Sequence, residues 1–146
     1  MQLENTSVSL DDESRTPDNA IRAAGQLLIE DELAEPRYVE AMIEAFRDLG
    51  PYIVLAPGIA MPHARPDAGA IREGFAVLRL ATPVEFGHPE NDPVRLVIPL
   101  VGSGDHSHID LLKRLSRVLM DPDAVDTLLT TDDIALVTAL FNDLKN

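Results

Sequence analysis

Cysteine is absent from this chain of 146 residues. That excludes disulfides, thiolate catalysis and thiolate metal sites. No window approaches the roughly 18 uninterrupted apolar residues of a membrane-spanning helix. The start, Met1-Gln2-Leu3-Glu4-Asn5, has neither the basic segment nor the apolar core of a signal peptide. These absences point to a cytoplasmic protein with no direct membrane insertion. Positive charge is scarce too: 12 Lys and Arg stand against 25 Asp and Glu, a net charge of −13. Nucleic acid is therefore a poor partner, because binding it needs clustered cations. The excess acid is either a solubilising surface or a device for steering onto a basic partner protein, and composition leaves both open. Internal repeats and low-complexity linkers are also lacking.

What is present suits one soluble globular domain over residues 1–146, with 45% hydrophobic and 25% charged residues. Ser7-Val8-Ser9-Leu10 alternates and predicts a short edge strand. Thr16-Pro17-Asp18 reads as an N-cap followed by proline at the first helical position. Ile21, Ala24, Leu27 and Leu28 then carry a helix to about Asp31. Pro36 opens a second helix, with Val39, Met42, Ile43 and Phe46 on one face, and Gly50-Pro51 stops it.

The period then changes. Tyr52-Ile53-Val54-Leu55-Ala56 predicts a buried strand ended by Pro57-Gly58, and Ile59-Ala60-Met61 a second short one. Gly74-Phe75-Ala76-Val77-Leu78-Arg79-Leu80 and Val94-Arg95-Leu96-Val97-Ile98-Pro99-Leu100 predict two more, the latter so apolar that it belongs at the centre. Residues 82–93, rich in Pro, Gly, Asp and Asn, read as a loop. Helical spacing returns with Ile109, Leu112, Leu115, Ser116 and Leu119. Asp121-Pro122 opens a short helix through Leu129, and Thr131-Asp132-Asp133 caps a last one with Ile134, Val137, Leu140 and Phe141. The expected fold class is α/β: a three-layer α/β/α sandwich with a mixed central sheet of about five strands flanked by helices.

Four histidines are the candidates for chemistry: His63, His88, His106 and His108. His63 stands out, in Gly58-Ile59-Ala60-Met61-Pro62-His63-Ala64-Arg65-Pro66. Imidazole titrates near neutrality and can be a nucleophile at pH 7 without a strong base. Pro62 stiffens the backbone, small neighbours leave room for a bulky partner, and Arg65 offers a guanidinium fork matched to phosphate oxygens. The bland alternative is a turn in which His63 is a cap. His106 and His108 lie in Gly102-Ser103-Gly104-Asp105-His106-Ser107-His108, between a strand and a helix. Free N–H groups there suit an anion, unless the loop merely holds Asp105 or Ser107 as an N-cap. His63, His106 and His108 could together hold zinc, but no HExxH spacing occurs and Arg65 would set a cation beside the metal. No GxSxG elbow supports a hydrolase. His88, in Glu85-Phe86-Gly87-His88-Pro89-Glu90, reads as an exposed turn residue.

The stretch from Gly58 to Pro66 resembles the active-site signature of the mannitol/fructose-type (type-2) EIIA domains of the bacterial phosphoenolpyruvate-dependent sugar phosphotransferase system (PTS). Tyr38-Val39-Glu40-Ala41-Met42 is similar to that family's second-helix motif. Asp92-Pro93-Val94-Arg95-Leu96-Val97 resembles its central strand, and His108-Ile109-Asp110-Leu111-Leu112 its His-Leu-x-x-Leu helix start. The likeness spans about residues 5–144. Gly50-Pro51-Tyr52-Ile53-Val54-Leu55-Ala56-Pro57-Gly58 running into Met61-Pro62-His63-Ala64-Arg65-Pro66 looks most like the ascorbate-type branch.

The resemblance implies a phosphoryl relay. The phosphocarrier HPr would donate to His63, on Nε2, with the other ring nitrogen held by a backbone carbonyl. His63 would pass the group to a cysteine of a IIB protein serving a IIC membrane permease, while His108 bonds the phosphoryl oxygens. No metal or other cofactor is implied, and a chain without cysteine needs its acceptor on another polypeptide. Mannitol-type members carry an arginine late in the second helix. Ala45 stands at that place here, and Arg47 lies two positions on, on a different helical face. Arg65 is therefore the expected phosphate-binding cation. The alternative is a regulatory, nitrogen-type EIIA-like phosphoprotein that controls partners instead of feeding transport.

Overall fold

The computed structural model describes the backbone of residues 7–102 and 107–142, and the side chains of all of these except 107–110 and 142. The expectations for Met1 to Asn5 and for Ser103-Gly104-Asp105-His106 lie outside the described residues, as do those for the side chains of Ser107 and His108.

Among the described residues, seven strands and five α-helices follow in order. They are β1 (Val8–Asp12), α1 (Pro17–Glu30), α2 (Pro36–Leu49), β2 (Val54–Ala56), β3 (Ile59–Ala60), β4 (Gly74–Phe75), β5 (Val77–Val84), β6 (Val94–Val97), β7 (Leu100–Val101), α3 (Ser107–Leu119), α4 (Pro122–Thr130) and α5 (Ile134–Asn142). The main sheet has the order β1-β5-β6-β3-β2, with β4 and β7 forming a separate pair. β1 runs parallel to β5 and β3 parallel to β6, while β5–β6 and β2–β3 are antiparallel. The sheet is thus mixed, with β6 at its centre and β1 at an edge, as the apolar and alternating patterns predict.

Successive strand residues feed two cores. Ala60, Leu78 and Val97 pack with residues of α1 and α2. Their neighbours Ile59, Val77 and Leu96 pack with residues of α3, α4 and α5. Strand periodicity of two therefore puts one helical layer on each face, giving three α/β/α layers. α1 and α2 lie close: a Cβ on Gly25 would stand 2.6 Å from a methyl of Val39. Thr16 accepts from the Asn19 N–H at the start of α1, as its sequence signature predicts.

Four boundaries differ from expectation. The predicted strand from Tyr52 to Ala56 begins as a 3₁₀ turn, Pro51–Ile53, because Gly50 (φ 82°) and the fixed φ of Pro51 curl the chain first. Its remaining part is an edge strand, so Leu55 is exposed and not buried. The predicted strands at 74–80 and 94–100 are each split in two. Pro99 has no N–H for the ladder, and opposite it the Ala76 N–H bonds the Pro99 carbonyl at 3.3 Å. β5 also runs on to Val84, into the predicted 82–93 loop. Thr82-Pro83 is tolerated there because the register with β6 shifts between Arg79 and Val84.

Candidate functional site

β3 carries the chain to His63. Gly58 turns at φ 75°, a left-handed conformation that suits glycine, and closes the β2–β3 hairpin. Beyond β3 the chain is tied down by backbone hydrogen bonds. Met61 N–H bonds the Ile53 carbonyl at 2.8 Å, and the Pro62 carbonyl accepts from Leu100 N–H at 2.9 Å. Met61 and Pro62 are buried, whereas His63 is half-buried. A segment anchored on both sides presents the imidazole on a stiff backbone.

The ring itself is oriented. His63 Nδ1 lies 2.8 Å from the Met61 carbonyl oxygen. A carbonyl can only accept, so Nδ1 carries the hydrogen, and in the neutral ring the lone pair sits on Nε2. Tyr52 stands edge-on to the imidazole, with ring centroids 5.8 Å apart and an interplanar angle of 84°. His63 opens into a depression of about 510 Å³. α2 lends it Ala41, Ala45 and Leu49, and Gly102 closes the side where β7 ends.

Arg65 lines the same depression. It is exposed and precedes a 3₁₀ turn, Pro66–Ala68. Among the described residues no carboxylate pairs with it. Arg47 is committed elsewhere: it pairs with Asp18 of α1 and is not among the lining residues. Ala45 faces the depression, at the place where the resemblance puts a helix arginine, so no cation enters from α2 there. Of the three predicted site residues, the structure brings His63 and Arg65 together. His108 is placed by backbone alone, in the first turn of α3, and His106 lies outside the described residues. Among the described residues no group of three or more His, Asp or Glu could hold a metal ion.

His88 corrects one expectation. It is half-buried and not simply exposed, because its Nδ1 accepts from the N–H groups of Glu90 (3.1 Å) and Asn91 (2.9 Å) and so builds its loop. Residue patterns also missed Tyr38 and Tyr52. Tyr38 has the periodicity of a core residue of α2, yet its hydroxyl reaches the backbone next to His63. Only its hydroxyl on an otherwise apolar face could have drawn attention.

An oriented imidazole, a guanidinium that pairs with no described carboxylate and a floor of small apolar residues make a site whose chemistry suits an anion such as a phosphoryl group. The chain belongs to the family described as phosphoenolpyruvate-dependent sugar phosphotransferase system, EIIA 2, which matches residues 1–143. It is a phosphotransferase component of a sugar PTS. A relative in Shigella boydii, the ascorbate-specific PTS system EIIA component, is 37% identical over 126 residues, 86% of this chain and 82% of that protein. The crystal structure of IIA mannitol from Escherichia coli matches with a TM-score of 0.82 and 29% identity, covering 97% of this chain and 99% of that one. The IIA chain in a complex of mannitol enzyme IIA with phosphorylated enzyme IIB from Escherichia coli matches with a TM-score of 0.81 and 28% identity, covering 94% of each chain. No helix among the described residues is long and apolar enough to cross a membrane.

Proposed function

We propose that this chain is a cytoplasmic IIA component, one domain over residues 1–146, of an ascorbate-like carbohydrate import system. HPr is the donor: the P–N bond on its histidine breaks as a new P–N bond forms to His63 Nε2. A cysteine thiolate of a separate IIB protein then takes the phosphoryl group, leaving His63 neutral again. IIB in turn phosphorylates the sugar as the IIC permease imports it. The observation that carries this reading is the Nδ1 contact to the Met61 carbonyl, which directs the Nε2 lone pair away from the segment that holds the ring. Named relatives specific for ascorbate and the mannitol IIA–phosphorylated IIB complex support the substrate class and the acceptor.

Phosphoryl transfer depends on in-line approach and charge stabilisation more than on covalent help from the protein. Arg65 supplies charge-assisted donors to the phosphoryl oxygens, and His108 is a second donor from the start of α3. The apolar floor keeps water from the labile P–N bond. No metal or cofactor takes part in this scheme.

Incubation with enzyme I, HPr and phosphoenolpyruvate should add one acid-labile phosphoryl group, and IIB should then remove it. Label that forms but cannot pass to any IIB cysteine would favour the regulatory alternative. Absence of label would sink both. Charge-assisted hydrogen bonds contribute about 1.5–3 kcal/mol, so Arg65→Ala should slow transfer by roughly 10- to 100-fold. His108→Ala should slow it while leaving some label. Rapid-quench rates unchanged from native would remove the altered residue from the site.

A further inference from the structure

Tyr38 lies in the first turn of α2 and is completely buried. Filling the core needs only its ring, which phenylalanine would supply equally. Its hydroxyl, however, is spent on two backbone segments that both lead to the site. Ala64 N–H, next in chain to His63, donates to Tyr38 Oη at 3.1 Å. Tyr38 Oη–H donates to the Leu100 carbonyl of β7 at 2.7 Å. The Ala64 carbonyl, at 3.2 Å, is the more distant acceptor for that same proton. Burial pushes the phenol above its usual pKa, so it stays a donor at neutral pH.

The same turn of α2 holds the rest of that loop. The Arg37 guanidinium donates to the Asp67 carbonyl at 3.1 Å, and Glu35 N–H donates to the Gly69 carbonyl at 2.8 Å. Any side chain at Gly69 would press on Tyr38, with its Cβ 3.1 Å from the Tyr38 backbone nitrogen. Arg65 sits inside this gripped segment, between Ala64 and Pro66. On the other side, Leu100 belongs to the strand whose continuation runs to α3 and His108. One buried hydroxyl therefore couples the segment bearing His63 and Arg65 to the strand that leads toward His108.

We propose that Tyr38 is a positioning residue for phosphoryl transfer: its hydroxyl fixes the spacing between the His63–Arg65 segment and the β7 chain leading to His108. This rests on the phosphoryl-relay reading above. Tyr38 is fully buried and bonds Ala64, which lines the depression, so its hydroxyl can touch neither donor nor acceptor protein and acts on the chemical step and not on docking. Displacing reacting groups by about 1 Å can cost on the order of 100-fold in rate.

The test uses the intact protein and phosphorylated HPr as substrate. Tyr38→Phe should lower kcat about tenfold or more with KM for phospho-HPr near native. Val137→Ala, a cavity in the opposite core, controls for lost stability and should keep native kcat. If the native protein takes no phosphoryl group on His63, the functional reading falls and this inference with it. If the native protein is phosphorylated there and Tyr38→Phe matches its kcat, or loses rate only in proportion to KM, the positioning role alone is overturned. Should the phenylalanine variant fail to fold, 4-aminophenylalanine installed at position 38 decides. It retains a donor to Leu100 but accepts poorly from Ala64, and should give a reduced kcat, whereas a native kcat would overturn the proposal.

Discussion

His63→Ala should take phosphoryl acceptance from phospho-HPr below detection, a loss on the order of 1,000-fold or more, because the proposed covalent relay cannot run without its nucleophile. No other described imidazole lines the depression. Tyr52, edge-on to the imidazole, is a phenol whose pKa is raised by burial, so it supplies no phenolate at neutral pH. Among the described residues that line the depression there is no serine, and the chain has no cysteine. The half-buried position of His63 means that alanine there leaves the core intact, so the variant should keep its fold and still dock HPr. Labelling by phosphoenolpyruvate, enzyme I and HPr measures the loss, and an NMR titration with unphosphorylated HPr measures docking. Label on the variant equal to that on the native protein would remove His63 from the relay. In the native protein ¹⁵N shifts should place the phosphoryl group on Nε2, since Nδ1 faces the Met61 carbonyl at 2.8 Å. Phosphorylation at Nδ1 would contradict that geometry.

The second large effect concerns stability. Arg79→Met should lower the unfolding free energy by about 3 kcal/mol, through groups it leaves without partners. Arg79 sits on β5 with only 3% of its surface exposed. Its guanidinium donates to the carbonyls of Leu128 (3.2 Å) and Thr131 and to the carboxylates of Asp11 and Asp132. The two carbonyls close α4, whose last turn has no intrahelical donors to offer them, and a cation there also suits the helix dipole. The carboxylates are exposed, at 58% and 89%, so those ion pairs contribute little. The loss therefore follows from orphaned carbonyls, each costing about 1–3 kcal/mol. For a chain of this length it corresponds to a fall in Tm of roughly 10 °C, measurable by calorimetry. Arg79→Lys should recover part of it, because an ammonium can reach one carbonyl but cannot fork between both. A fall of less than about 2 °C for Arg79→Met would show that water satisfies these carbonyls.

Legibility in the sequence followed the range of the interactions. α1 and α2 were readable because their caps and stops are local: Thr16 with Pro17, Pro36, and Gly50 with Pro51. β6 was readable as the central strand because burial on both faces leaves an almost unbroken apolar run. The breaks at Ala76 and Pro99 were not, since a proline weakens a ladder only once its partner strand is known. The extension of β5 to Val84 was hidden for the same reason, because Val84 pairs with Val94 across a register shift. At the site, His63 and Arg65 were marked by a stiff, small-residue motif. Tyr38 could not be distinguished from core, since the Ala64 and Leu100 groups that satisfy its hydroxyl are distant in sequence.

The sequence by itself determined the element types, the three-layer class and the chemistry available: a histidine behind a proline, an arginine close by and no thiol anywhere. It could do so because helix caps, hydrophobic period and side-chain type are properties of neighbours along the chain. Tertiary structure decided which groups share a cavity. It turned Nδ1 of His63 toward a carbonyl, sent Arg47 to Asp18 and away from the depression, and left Ala45 as part of an open floor. It also gave Tyr38 a hydroxyl bridge and buried Arg79 against a helix end. Those outcomes depend on distances between segments brought together by packing, and no pattern within either segment encodes them.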